Sequence, residues 1–116
     1  MNNRETGSRF ENEAASFFIE KGYEILERNY RRKTGEIDLI VTDHKYLVFV
    51  EVKYRKSTQK GFPEEAVDKN KQRRIMRTAE WYLKENRLPF TMPCRFDVIS
   101  ILDGDIRHIK NAFGGF

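Results

Sequence analysis

A mixed β-sheet flanked by helices, in the order α-β-β-β-α-β-β, is the α/β fold that this sequence predicts. Three observations carry the prediction. Apolar residues recur at helical spacing near the start of the chain and again over residues 64–86. Five stretches rich in Val, Ile, Leu, Phe and Tyr are set apart by turn-forming residues. The longer helical segment lies between the third and fourth of them, where it can serve as a crossover into a parallel strand.

The elements follow in order. Ser8-Arg9-Phe10-Glu11 has the form of a capping box, which predicts a helix start there. Phe10, Ala14, Phe17 and Phe18 then share one helical face. Gly22 suits the left-handed position that ends a helix. A strand is expected over residues 23–30. Arg31-Arg32-Lys33-Thr34-Gly35 reads as a basic turn, and strands over 36–42 and 46–53 form a hairpin around Asp43-His44-Lys45. Residues 54–63 read as a loop. The helix over 64–86 is expected to bury Gln72, Ile75, Ala79, Tyr82 and Leu83. Strands at 95–101 and 106–109 close the sheet, joined by the turn signal Asp103-Gly104.

The hairpin holds charge where charge is expensive. Apolar residues dominate both strands, yet Asp38, Glu51 and Lys53 are embedded in them. Alternation puts Val48, Val50 and Val52 on one face and Phe49, Glu51 and Lys53 on the other. Such charges must be paired, solvated or metal-bound. Two carboxylates holding Mg²⁺ or Mn²⁺ beside a lysine meet the needs of phosphodiester hydrolysis: an activated water, and charge to offset the transition state. In that reading Asp38 and Glu51 are ligands, the Val52 carbonyl is a third, and Lys53 orients the water or stabilises the developing charge. Glu36 shares a face with Asp38 and is either a further ligand or a solvated edge carboxylate. The competing reading makes Glu51 and Lys53 members of cross-strand salt bridges.

The 116 residues suit one domain spanning 1–116, with a modest core. A net charge of +4 with 34% charged residues is compatible with a polyanionic partner. Arg28, Arg31, Arg32 and Lys33 form one basic patch, and Lys53, Arg55, Lys56 and Lys60 a second. Lys69, Arg73 and Arg77 recur every four residues as a stripe on the second helix. Arg31, Arg32, Arg55, Lys56, Lys69, Arg73 and Arg77 are therefore candidate DNA contacts. The lone Cys94 excludes an intrachain disulfide. The residues from Met1 to Glu5 lack the apolar core of a signal peptide, and no run is long enough to span a membrane, so a soluble cytoplasmic protein is expected. His44 and His108 read as surface residues, and Trp81 and Tyr82 as packing residues. No phosphate-binding glycine loop and no serine or cysteine triad is present.

Gly35-Glu36-Ile37-Asp38-Leu39-Ile40 with Val48-Phe49-Val50-Glu51-Val52-Lys53-Tyr54-Arg55 resembles the YraN family of small bacterial proteins. Gly7-x-x-x-Glu11-x-x-Ala14, Asn29-Tyr30-Arg31, Ala66-Val67, Lys71-Gln72, Arg95-Phe96-Asp97 and Asn111-Ala112-Phe113 extend the resemblance along nearly the whole chain. That family is grouped with restriction-endonuclease-like proteins of the PD-(D/E)xK superfamily and is similar to archaeal Holliday-junction resolvases. The resemblance implies a restriction-endonuclease-like sheet and an Mg²⁺-dependent deoxyribonuclease acting on branched or flapped DNA in repair or recombination. Asp38, Glu51 and Lys53 match the signature, and Ile37 stands where it often has Pro. A resolvase-like activity also implies a homodimer. By the same resemblance an acid on the first helix completes the metal site, which gives Glu11 that role beside its capping role. A Gln or Lys on the second helix reaches the scissile phosphate or water, which gives Gln72 that role beside an ordinary place at the helix start. The rival readings are a DNA-binding module without turnover and a partner-recruiting scaffold.

Overall fold

Apolar periodicity sets the elements, and packing moves several of their ends. The structure, a computed structural model, describes residues 3–55 and 66–114, with side chains from Ser8 onward. The elements are α1 (Asn3–Glu20), β1 (Glu24–Arg32), β2 (Gly35–Thr42), β3 (Leu47–Arg55), α2 (Lys69–Glu85), β4 (Cys94–Leu102) and β5 (Asp105–Ile109). They build the expected α/β mixed sheet in the expected order.

The sheet runs β1-β2-β3-β4-β5. Its pairs are antiparallel except β3 and β4, which run parallel from Leu47↔Cys94 to Arg55↔Leu102. The connection between those two strands carries α2, as a parallel pair requires. Asp103 and Gly104 both have positive φ, 48° and 85°, the pattern of a two-residue type I′ hairpin between β4 and β5.

Each face of the sheet carries a helix and an apolar cluster. Phe10, Ala14, Ala15 and Phe18 of α1 pack on Leu39, Val41, Val48, Val50, Ile99 and Ile101. Ile75, Ala79, Tyr82 and Leu83 of α2 pack on Tyr30, Ile37, Ile40, Phe49, Phe96 and Val98. Gly22, at φ 89°, ends α1 as expected: the Tyr23 N–H donates to the Phe18 carbonyl at 2.9 Å and the Gly22 N–H to Ile19 at 3.0 Å.

Four expectations are corrected. First, α1 begins at Asn3, so Ser8 lies inside the helix and the capping box does not form. Second, β1 and β3 continue to Arg32 and Arg55, which shrinks the basic turn to Lys33-Thr34. Third, α2 begins at Lys69 rather than 64, where the Asp68 side chain accepts the Lys71 N–H and caps it. Fourth, His108 and Trp81 exchange their expected surroundings. The His108 side chain is only 8% exposed, whereas Trp81 is 43% exposed. No helix among the described residues is long and apolar enough to cross a membrane.

Candidate metal centre

Strands β2 and β3 pair from Thr42↔Leu47 to Leu39↔Val50, and there the ladder stops. Ile37 and Leu39, which strict alternation would put on one face, belong to opposite core clusters, so the chain changes face at Asp38. Across β1 the strain falls on Asn29, at φ 51°, between the paired residues Arg28 and Tyr30. The Asp38 carboxylate takes the place of the missing ladder bond: Oδ2 accepts the Val52 N–H at 2.7 Å.

This parting of the strands gathers acids from three elements. Glu11 is held on α1 by its buried neighbours Phe10 and Ala14. Glu11, Glu36 and Asp38 each bring a carboxylate oxygen within 4.8 Å of the others. Glu51, on β3, stands beside the Asp38 carboxyl. Its Oε2 atom is buried, and the Lys71 ammonium approaches it at 2.8 Å as an ion pair without hydrogen-bond alignment. Gly35, Glu36, Asp38, Glu51, Lys71, Arg74 and Ile75 line a cavity of about 350 Å³ over these groups. Gly35 suits this wall by its backbone, since a Cβ would make only ordinary contact with α2. Its φ is 149°, and a Cβ there would stand 3.4 Å from Thr78 Oγ1 and 3.5 Å from Arg74 Cβ.

The electrostatics are unbalanced. Burial first, then the hydrogen bond and charge of Glu51, push the Asp38 carboxyl up to about 9; the Val52 N–H opposes this and Glu11 adds to it. Burial works against the Lys71 ammonium, but Glu51 and then Asp38 outweigh it and raise its pKa, so Lys71 stays protonated. The described acids outnumber the cations that touch them. Arg31 meets Glu36 through Nε, and Lys71 meets Glu51.

A divalent cation fits this donor set. Carboxylate oxygens around Mg²⁺ stand roughly 3–4 Å apart, so a small closure of Glu11, Glu36 and Asp38 would hold one. Glu51 stands outside that group of three, its Oε2 paired with the Lys71 ammonium at 2.8 Å.

The other expected residues take varied positions. Lys53 donates from Nζ to the Ala66 carbonyl at 2.6 Å. The Gln72 amide donates to the Val67 carbonyl at 2.6 Å, while Lys71, one residue earlier, reaches Glu51. Arg32 forms a two-pronged bond with Glu85, at 2.9 and 2.7 Å, and stacks over Tyr30. Arg31 is exposed apart from its contact with Glu36. The Arg55 Nε is buried without a hydrogen-bond partner among the described residues. Lys69, Arg73 and Arg77 are exposed along α2, with Arg73 bonded to Asn70. Lys56 lies outside the described residues.

Lys71 and Arg74 were missed from sequence, and Glu36 was left open. The signal for Lys71 was its position one turn before the buried Ile75, on the row that continues through Thr78 and Tyr82.

Fold and site together define a small α/β protein with a carboxylate-rich cleft where two strands of a mixed sheet part. The chain matches the model of the uncharacterised protein family UPF0102 over residues 10–101 and belongs to that family. It is 55% identical over 116 residues to a UPF0102 protein of Lachnoclostridium phytofermentans, covering 100% of this chain and 98% of the relative. A UPF0102 protein of Persephonella marina is 45% identical, with coverage of 92% and 91%. One from Clostridioides difficile is 44% identical, with coverage of 97% and 100%.

Proposed function

We propose that this protein is a metal-dependent endonuclease that hydrolyses DNA phosphodiester bonds. One observation carries the reading: Glu36, Asp38 and Glu51 line one cavity with Lys71 and Arg74, and Glu11 brings a carboxylate oxygen within 4.8 Å of those of Glu36 and Asp38. A core that needed only stability would not retain that arrangement. The branched or flapped substrate rests on the resemblance to the resolvases.

Glu11, Glu36, Asp38 and Glu51 are the residues that would hold Mg²⁺ or Mn²⁺. When bound, such an ion polarises the phosphate and acidifies a water. Asp38 is oriented for this by the Val52 N–H, and Glu51 by Lys71. Lys71 keeps its proton, so it serves as a cation beside the developing charge and not as the base. Arg74 lines the same cavity and adds a second positive group for the phosphate. Lys69, Arg73 and Arg77 extend that charge along α2 for the strand backbone.

The test is a cleavage panel of single-stranded, duplex, flap and four-way-junction DNA, run with Mg²⁺, with Mn²⁺ and with chelator. Metal-dependent cutting that disappears in Asp38→Ala and Glu51→Ala is the expected result. Calorimetric titration with Mn²⁺ that is unchanged in Asp38→Ala would count against the shared site.

One observation favours the binding-only reading. The Lys53 ammonium is engaged by the Ala66 carbonyl and not by the acids. Single-turnover rates of Lys53→Met decide between the two. A nuclease that uses Lys53 loses roughly 10²–10⁴-fold, whereas a binding module has no turnover to lose.

A further inference from the structure

The one tryptophan of this chain is not in its core. Trp81 is 43% exposed and Phe90 is 55% exposed. Large apolar side chains that keep much of their surface exposed mark a binding surface when they gather in one place. Here they do. Both line a cavity of about 360 Å³, together with Thr34, Arg77, Glu80 and Lys84. That volume falls within the roughly 300–1,000 Å³ of small-ligand pockets.

The walls indicate what enters. Two cations face one acid, so the pocket favours an anionic partner. The Lys84 ammonium stands 5.4 Å over the Trp81 ring. Aromatic faces flanked by Arg and Lys are the elements that bind nucleobases and their phosphates without sequence preference. The surroundings indicate where the ligand comes from. Arg73, Arg77 and Trp81 follow at four-residue intervals, so they lie on one side of α2. Thr34 lines this pocket, and the next residue, Gly35, lines the carboxylate cavity. Along α2, Trp81 stands ten residues beyond Lys71, or about 15 Å, a span of a few nucleotides.

We propose that Trp81 and Phe90 form a stacking pocket for an unpaired base of single-stranded DNA, with Arg77 and Lys84 on the adjoining phosphates. The assignment rests on the nuclease reading for its meaning: the substrate carries a single-stranded segment a few nucleotides from the cut. A perfectly paired duplex offers no free base to the pocket.

The test does not depend on cleavage. Because Trp81 is the only tryptophan, its fluorescence reports on this pocket alone. Oligo-dT titrated into the intact protein in chelator should quench it. A strand of abasic sites with the same phosphates, and a blunt duplex, should bind without quenching. Anisotropy of a labelled oligo-dT should show Trp81→Ala and Phe90→Ala each weakening binding by about 5- to 100-fold. Their affinity for blunt duplex should stay within about twofold of the parent. Both residues are exposed, and thermal melts check that the variants fold. Saturating oligo-dT binding with no quenching, equal quenching by the abasic strand, or no oligo-dT binding at low salt overturns the pocket. Quenching in a protein that cuts nothing in the cleavage panel would keep the pocket and sink the nuclease.

Discussion

Two aspartates on one sheet, Asp97 buried and Asp38 half-buried, have opposite surroundings. Asp97, on β4, has a fully buried side chain, yet every lone pair has a use. Its Oδ1 accepts from Arg95 Nε at 2.9 Å and the Asn111 N–H at 3.0 Å. Its Oδ2 accepts from Arg95 Nη2 at 3.0 Å and contacts His108 Nε2 at 2.6 Å. Burial alone would raise this carboxyl, but the bonds from His108, Arg95 and Asn111 outweigh it and hold it below the usual carboxylate range. Asp38, on β2, has one backbone donor and three neighbouring acids, Glu11, Glu36 and Glu51, and its carboxyl is raised. The sheet spends its donors on the acid that ties β4 to β5 and the chain end. It leaves the acid in the cleft short of them. The cleft around Asp38 is therefore a place where the fold gives up stability that the Asp97 cluster keeps.

The sharpest way to break the comparison is at Asp97. Asp97→Ala strands Arg95 among buried groups and should cost about 3–5 kcal/mol in urea unfolding. A loss below about 1 kcal/mol would show that the cluster is solvated and the contrast false. Its pH sign follows from the depressed folded pKa. The stability Asp97 supplies is present above the unfolded value of about 3.9 and is lost as pH falls through the folded value.

Asp38 should run the other way. Its folded pKa is raised, so its contribution is intact in acid and is lost as pH rises towards about 9. Asp38→Asn cannot ionise. It should gain on the parent through that window, by roughly 1–3 kcal/mol at about pH 8. Excess Mn²⁺ should reverse the gain by stabilising only the parent. A variant less stable than the parent at every pH would mean that Asp38 is as well compensated as Asp97.

Lys71 gives the smallest stability effect and sharpens the site. Its side chain is 46% exposed, so solvent screens its pair with Glu51, and Lys71→Met should cost under about 1 kcal/mol by thermal or urea unfolding. Single-turnover cleavage should nonetheless fall by about 10²-fold. Unchanged cleavage would return the cationic role to Lys53 or Arg74.

Much of this was legible along the chain because its causes are local or periodic. Alternation in Leu47-Val48-Phe49-Val50 predicts a strand wherever the sheet lies, and Gly22 and Asp103-Gly104 set chain reversals through φ alone. The acids Asp38 and Glu51 stood out because charge in an apolar strand demands a partner. The start of α1 was misplaced because Ser8-x-x-Glu11 satisfies a capping pattern equally well inside a helix.

The elements, their order, the crossover and the suspicion that falls on Asp38 and Glu51 can all be read along the chain. Those features follow from side-chain period, backbone preference and the cost of burying charge, all of which act over a few residues. Which groups those acids meet is a matter of packing in three dimensions. That packing brought Glu11 and Glu36 to Asp38, aimed Lys71 rather than Gln72 at Glu51, sent Lys53 to Ala66, paired His108 with Asp97 and left Trp81 in water. Those outcomes depend on where two helices land on opposite faces of a sheet whose strands part at Asp38, and no spacing along the chain encodes that distance.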